Sequence, residues 1–280
     1  MRKKSIFPYF GGKYFLLDDI LRIVDHLIFD KKIKSVVDVF GGSAKLLTNI
    51  PNEINISRVY NDINEYLYNL FKVLQDKDLF KELERKINIG FKHERAFLEF
   101  KQQLFDNTEN WSVPDVNIAY ATLYILVLSF GSKLHKNAIF KREFKLRNGY
   151  KQLYKLVDVV KSLHLEKWTI LNEPYEKVIQ RANKPYVFLY LDPPYLRGGS
   201  NYQYGSWTID NFKKLYNQLL DFEGYWLLNE SSIDEISSIF GKPKFIKEYQ
   251  NTFGKDHHTT RKEGFWTNFD IPDGVINNVL

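Results

Sequence analysis

Three stretches of this chain predict an α/β fold with a helical insert. Tyr186-Val187-Phe188-Leu189-Tyr190-Leu191 is an unbroken apolar run, the pattern of a strand buried on both faces of a sheet. Ser35-Val36-Val37-Asp38-Val39-Phe40 is a short β-branched strand leading into Gly41-Gly42-Ser43-Ala44, a strand–turn–helix entry of nucleotide-site type. From about Gln75 to Leu165 strand-like alternation is absent and helical segments replace it. With 280 residues and 44% hydrophobic content, the chain can hold one large domain with an insertion, or two intimate domains. The division this predicts is 1–75 with 166–280 for the α/β part and 76–165 for the insert.

Taken in order, Ser5 to Lys13 ends in Tyr9-Phe10-Gly11-Gly12-Lys13, where paired glycines let backbone approach a ligand closely. An amphipathic helix follows, with Leu16, Leu17, Ile20, Leu21, Ile23, Val24 and Leu27 at near-helical spacing. Lys13 at its start is unfavourably placed for a cation, which points to a nearby anion such as a ligand carboxylate; a solvated lysine also fits. The turn after Asp38 lacks the G-x-G-x-x-G spacing, and a carboxylate there suits a cationic or amine-bearing ligand better than a pyrophosphate. An ordinary glycine-rich β-to-α turn is equally compatible. Ile56 to Asn61 reads as a second strand. Asp62, 24 positions beyond Asp38, stands where a ribose-binding acid or a helix cap is found. A helix over about 64–75 follows, then helical segments near 80–87, 91–105 and 116–130.

Between Gly131 and Lys151 periodicity is weak. Lys133, Lys136, Lys141, Arg142, Lys145, Arg147 and Lys151 are interleaved there with Phe140, Phe144 and Tyr150, against the single acid Glu143. Such a patch can track a phosphate backbone, and it can also be a solvated basic loop. Alternation then resumes: strands at 168–172, 186–191, 225–229, 244–249 and 264–269, and helices at 175–181, 210–220 and 233–240. Residues 196–207 carry Gly198, Gly199 and Gly205 and read as a loop. His257-His258 lies on a Gly-Lys-Asp segment without ligand spacing, so a basic DNA-touching loop with Lys255, Arg261 and Lys262 is a better reading than a metal site.

Composition sets outer bounds. There is no cysteine, so disulfides and zinc–thiolate sites are excluded. No apolar signal core follows the basic start. The stretch Ile118–Phe130 falls short of the ~20 residues of a membrane span, so a cytoplasmic protein away from the membrane is expected. The net charge of +6 makes nucleic acid a candidate partner.

Leu191-Asp192-Pro193-Pro194-Tyr195 concentrates the chemistry. Two prolines stop the ladder after the apolar strand and disfavour an immediate helix, holding Asp192 at the carboxyl end of a core strand. An acid, a fixed carbonyl and an aromatic ring suit a flat heterocycle bearing an amino group. Alone, the run is equally a strand ending in a Pro-Pro turn.

Together these motifs resemble the Dam-like DNA adenine-N6 methyltransferases. Tyr9-Phe10-Gly11-Gly12-Lys13 is similar to that family's N-terminal element, and Asp38-Val39-Phe40-Gly41-Gly42 to its cofactor loop. Asn61-Asp62 is similar to its ribose acid, Asp192-Pro193-Pro194-Tyr195 to its catalytic motif, and Glu263-Gly264-Phe265-Trp266-Thr267-Asn268-Phe269 to its closing strand. The order is kept over most of the chain. The resemblance implies a class I methyltransferase (Rossmann-like) mixed sheet with a helical target-recognition insert, S-adenosylmethionine as cofactor, double-stranded DNA as partner, and no metal. It implies cofactor contacts at Tyr9, Gly11, Gly12, Lys13, Asp38, Phe40, Gly42, Asp62 and Asp192. It implies catalysis at Asp192, Pro193, Pro194 and Tyr195, while the basic patch itself supplies the expected DNA contacts at Lys133, Lys136, Lys141, Arg142, Lys145 and Arg147. Three departures stand out: Ala44 replaces a glycine, Pro174 replaces an acid before a helix, and the insert lacks the pattern of GATC-specific enzymes.

The chemistry implied is orientation. The Asp192 carboxylate and Pro193 carbonyl accept hydrogen bonds from an adenine amine and meet the positive charge that develops on its nitrogen. Tyr195 stacks on the flipped base. Transfer to cytosine N4 or to RNA, and a DNA-binding relative without activity, are the alternatives.

Overall fold

The structure of the chain is a computed structural model. It describes residues 4–9, 13, 15–89, 94–106, 112–141, 146–196, 207–253, 257–272 and 274–276, with side chains described outside 146–152, 251–253 and 257–259. Gly11, Gly12, Arg142, Lys145, Lys255, Gly198, Gly199 and Gly205 lie outside the described residues.

The apolar run at 187–191 forms β4 (Val187–Leu191), every residue of which is buried. Its side chains alternate between two cores. Phe188 and Tyr190 join the core beneath α1 (Leu17–Phe29) and the insert, while Val187, Leu189 and Leu191 join the core on the other face. A strand sandwiched in this way has no polar face, which is why its sequence is uniformly apolar rather than alternating. β4 pairs in parallel with β1 (Ser35–Asp38) on one side and with β5 (Tyr225–Glu230) on the other. β2 (Ser57–Asn61) and β3 (Thr169–Leu171) extend the parallel sheet beyond β1.

β7 (His257–Thr267) runs antiparallel to β5, and β6 (Phe245–Phe253) antiparallel to β7, giving the order β3-β2-β1-β4-β5-β7-β6 among the described residues. This is the expected mixed α/β sheet. Chain order reverses between β1 and β4, so connections leave in opposite directions there and open a crevice beyond their carboxyl ends.

α2 (Lys45–Asn49) and α3 (Glu65–Gln75) pack with α1 on one face. α8 (Tyr175–Ala182), α9 (Ile209–Leu220) and α10 (Ile233–Phe240) cover the other. Asn64 caps α3 through Tyr66 N (3.0 Å) and Leu67 N (3.3 Å), satisfying two of its orphan amides.

The insert is built on α4 (Lys77–Ile89), α5 (Glu94–Phe105), α6 (Val116–Leu128) and α7 (Leu146–Lys161). α6 is buried at every position but Asn117, and it packs against α3, α4, α5 and α7. A helix apolar all round must be enclosed on all sides, and here the surrounding helices do so. Among the described residues no helix is long and apolar enough to cross a membrane. The insert and one face of the sheet share a continuous apolar core.

Two segments differ from the sequence-based expectation. α7 begins inside the stretch of weak periodicity because Asn148-Gly149 reads as a turn and masks the register of Leu153, Leu156, Val157 and Val160, all buried. The expected loop around His257-His258 is strand instead: His257 pairs with Phe253 and His258 with Thr252. The run Thr259-Thr260-Arg261-Lys262 is polar on both faces, so it carries no period-two signal.

Candidate active site

Three acids stand at the carboxyl ends of the parallel strands. Asp38 ends β1, Asp62 follows β2, and Asp192 follows β4. Asn61 locks these ends together. Its side-chain amide donates to the carbonyls of Val39 (3.0 Å) and Glu173 (3.1 Å), and its carbonyl accepts from Glu173 N (2.9 Å).

Between Asp38 and α2 the chain makes a tight turn. Gly41 N donates to Asn61 O at 2.7 Å. A side chain at Gly41 would stand 2.2 Å from the Tyr60 ring, so only glycine fits. Gly42 has φ +50° and would carry a Cβ 3.0 Å from Tyr9. Ala44 is also left-handed, at φ +52°, but its methyl is buried in the apolar core while Ser43 and Lys45 face the crevice. The departure from glycine at this position therefore does not crowd the crevice.

The crevice is a cavity of about 310 Å³, at the lower end of the roughly 300–1,000 Å³ typical of small-molecule sites. Tyr9, Lys13, Asp38, Phe40, Gly42, Asp62 and Asp192, every described residue expected to contact the cofactor, line it. Phe40 also forms an aromatic corner with Tyr175 and Trp207, with ring centroids 5.7 and 5.1 Å away. Tyr175 and Trp207 were not singled out by sequence reasoning; an aromatic after a proline and a lone tryptophan after a glycine-rich loop give no signal by themselves. Pro174 starts α8 on the cavity wall between Glu173 and Tyr175.

The acids differ in their satisfaction. Asp62 accepts from Gly42 N and Asn64 N, each at 2.8 Å, so it holds the glycine turn and begins the α3 entry at once. Burial lifts its pKa to about 6 against the pull of those two amides. Asp38 is 2% exposed, and among the described residues its Oδ1 has no partner. Burial, then the charges of Asp192 and Asp62, push its pKa well up. Such an orphaned acceptor fits a ligand carrying a cationic or amine group.

Asp192 pairs with Lys13 at 3.2 Å, and its pKa is raised to about 6, chiefly by burial, with Lys13 opposing. Lys13 does have anions beside it, and they belong to the protein: Asp192, and Glu263 of β7 at 3.2 Å. It also contacts the Tyr195 hydroxyl, and its ammonium lies 4.1 Å from the centroid of that ring. A base stacking on Tyr195 must use the other ring face or displace the lysine. Pro193 is buried, and Pro194 borders the cavity.

Glu263 anchors this knot. At 1% exposure it accepts from Tyr195 OH (2.9 Å), Tyr249 OH (3.2 Å) and Asn229 Nδ2 (3.3 Å) as well as Lys13. Glu230, at the end of β5, accepts from Ser231 N (2.6 Å), Ser232 N (3.1 Å) and Leu196 N (3.3 Å), tying the Asp192–Leu196 segment to its neighbour strand. The available sequence signal for Glu263 was a carboxylate directly before the apolar Gly264-Phe265-Trp266 run.

The basic patch is less uniform than its sequence. Lys136 is exposed and Lys133 half-buried. Lys141 turns its ammonium to Val127 O of α6 at 3.0 Å, so it ties the insert together and does not project as expected for a phosphate contact. Arg147 lies in the first turn of α7.

This geometry can be set beside known proteins. The chain is 27% identical over 239 residues to the modification methylase StsI of Streptococcus sanguinis, an alignment covering 82% of this chain and 34% of that relative. It thus spans about a third of the length of the curated relative. A family model matches residues 9–254, which include every strand end that lines the cavity. The chain belongs to the D12 class N6 adenine-specific DNA methyltransferase family.

Proposed function

We propose that the chain methylates the N6 amino group of a flipped-out adenine in duplex DNA, using S-adenosylmethionine. The observation that carries this reading is the placement of Asp192, fixed by a Pro-Pro turn at the carboxyl end of β4, on the wall of the cavity that also bears Asp38 and Asp62. Family membership and a relative named as a modification methylase support it.

The residues fit the cofactor. Asp38 offers its unpartnered Oδ1 to a positive group, Asp62 has acceptor capacity left for ribose hydroxyls, and the Phe40–Tyr175–Trp207 corner offers faces and edges to a flat base. When bound, the cofactor supplies an electrophilic methyl on sulfur. The Asp192 carboxylate and Pro193 carbonyl accept hydrogen bonds from the target amine, whose lone pair is otherwise delocalised into the ring. That directs the lone pair at the methyl and stabilises the charge arising on nitrogen. Lys13 keeps Asp192 ionised against its burial. Lys133, Lys136 and the Arg142–Arg147 segment hold the DNA backbone while the adenine leaves the stack, at a few kcal/mol.

The test is incorporation of tritiated methyl from labelled S-adenosylmethionine into duplex DNA, with the product nucleoside identified by mass. N6-methyladenine with wild type and no incorporation with Asp192→Ala is the expected result. N4-methylcytosine, or methylation of RNA alone, redirects the substrate assignment. DNA retention with no incorporation by wild type, or full activity in Asp192→Ala, refutes the mechanism.

A further inference from the structure

Lys13 and Lys45 are the cations on the cavity wall among the described residues. Their situations differ. Lys13 is held by Asp192, Glu263 and Tyr195 and is 9% exposed. Its ammonium is committed to ordering the catalytic segment. Lys45, the first residue of α2, is half-buried, and among the described residues its ammonium has no hydrogen-bond or ion-pair partner. It lines the same cavity as Asp192, and burial lowers its pKa while the charge of Asp192 raises it. An ammonium kept partly out of water without a counter-ion is unfavourable until an anion arrives.

The remaining charged groups on this wall are acids: Asp38, Asp62, Asp192, Glu173 and Glu176. A ligand that answers Asp62 with hydroxyls and Asp38 with a cation, yet carries a carboxylate, needs one cation in an otherwise acidic site. Resting on the functional reading above, we propose that Lys45 binds the α-carboxylate of S-adenosylmethionine and makes the site selective for the intact amino-acid end of the cofactor. Lys13, which lies four residues before α1, orders Asp192 and Tyr195 instead.

The carboxylate can be removed from either partner. Calorimetric titrations of wild type and Lys45→Gln use S-adenosylmethionine, S-adenosylhomocysteine and decarboxylated S-adenosylmethionine, which keeps the sulfonium and loses the carboxylate. Wild type is expected to bind S-adenosylmethionine about 10- to 100-fold more tightly than the decarboxylated form, the range of a charge-assisted hydrogen bond. In Lys45→Gln that preference collapses. The affinity lost is for the two carboxylated ligands, with the decarboxylated one bound as well as by wild type. Lys45→Arg restores part of the preference. The comparison of ligands on wild type needs no variant, so a folding defect cannot mimic it.

A Lys45→Gln protein that still discriminates as wild type does, or a wild type indifferent to the carboxylate, overturns the assignment while leaving the methyltransferase reading intact. A wild type that binds none of the three ligands overturns both.

Discussion

Replacing Asp192 by Asn is expected to abolish methyl transfer and to stabilise the ligand-free protein at alkaline pH. Burial raises the pKa of Asp192 from 3.8 to about 6, even with Lys13 3.2 Å away. An acid whose folded pKa lies above its unfolded value stabilises the fold only while protonated. That contribution is fully present below pH 3.8, fades as the pH rises through about 6, and is absent above it. At about 1.4 kcal/mol for each pH unit between the two values, ionised Asp192 costs the fold about 3 kcal/mol. The attraction of Lys13 is already contained in that figure.

Asparagine keeps the shape and never ionises. The variant should therefore match wild type near pH 4 and exceed it by up to about 3 kcal/mol at pH 8, roughly 5 °C in Tm. Thermal melts of both proteins in matched buffers from pH 4 to 8, each with a methyl-transfer assay, measure the gap. Titrations elsewhere in the chain cancel in the difference. A gap independent of pH, or an Asn variant less stable than wild type at pH 8, refutes the argument that function keeps a destabilising charge here.

Three further outcomes are expected. Gly41→Ala sets a methyl 2.2 Å from a Tyr60 ring that is fully buried and bonded to Gly42 O at 3.0 Å, so denaturant unfolding should show a loss of about 1–3 kcal/mol together with weakened cofactor binding. Glu263→Ala strips Lys13, Tyr195 and Tyr249 of a shared acceptor and should destabilise by about 3–5 kcal/mol, whereas Glu263→Gln, which keeps an acceptor oxygen, should lose much less stability in the same titration. Lys136→Gln should lower the salt dependence of DNA binding by about one counter-ion, seen as a shallower slope of log affinity against log salt, while Lys141→Met should chiefly lower the Tm.

The centre of the molecule was legible because its signals are local. β4 is buried on both faces, so its sequence is apolar without interruption, and β1 sets Val36 and Val37 between Ser35 and Asp38. The acids that follow them sit where the chain must leave a parallel sheet. Asp38, Asp62 and Asp192 could be placed in one crevice on that ground alone. What escaped depends on long-range contacts. Glu263 is 68 residues from Tyr195 and 250 from Lys13, and no spacing rule joins them. Tyr249 looks like a strand residue until the β6–β7 register brings it over the same carboxylate. Lys141 belongs to a basic run by composition, yet its ammonium is drawn to the end of α6, where helix carbonyls lack partners. The α7 helix was hidden by an Asn-Gly pair that tertiary packing overrides.

The buried carboxylates also show which side of the site faces a ligand. Glu230 and Glu263 have their donors supplied by backbone amides, serines, tyrosines, Asn229 and Lys13, and they hold the Asp192–Leu196 segment against β5 and β7. Asp38 keeps an oxygen unpartnered among the described residues, and Asp192 has Lys13 as its partner. If burial alone decided the matter, all four would be equally satisfied, since an unmet acceptor costs about 1–3 kcal/mol wherever it lies. The unpartnered Asp38 oxygen borders the cavity, as do the partnered Asp62 and Asp192, whereas Glu230 and Glu263 do not. Residual charge is therefore concentrated where a cation and an amine can still approach, as differential stabilisation of an oriented amine requires.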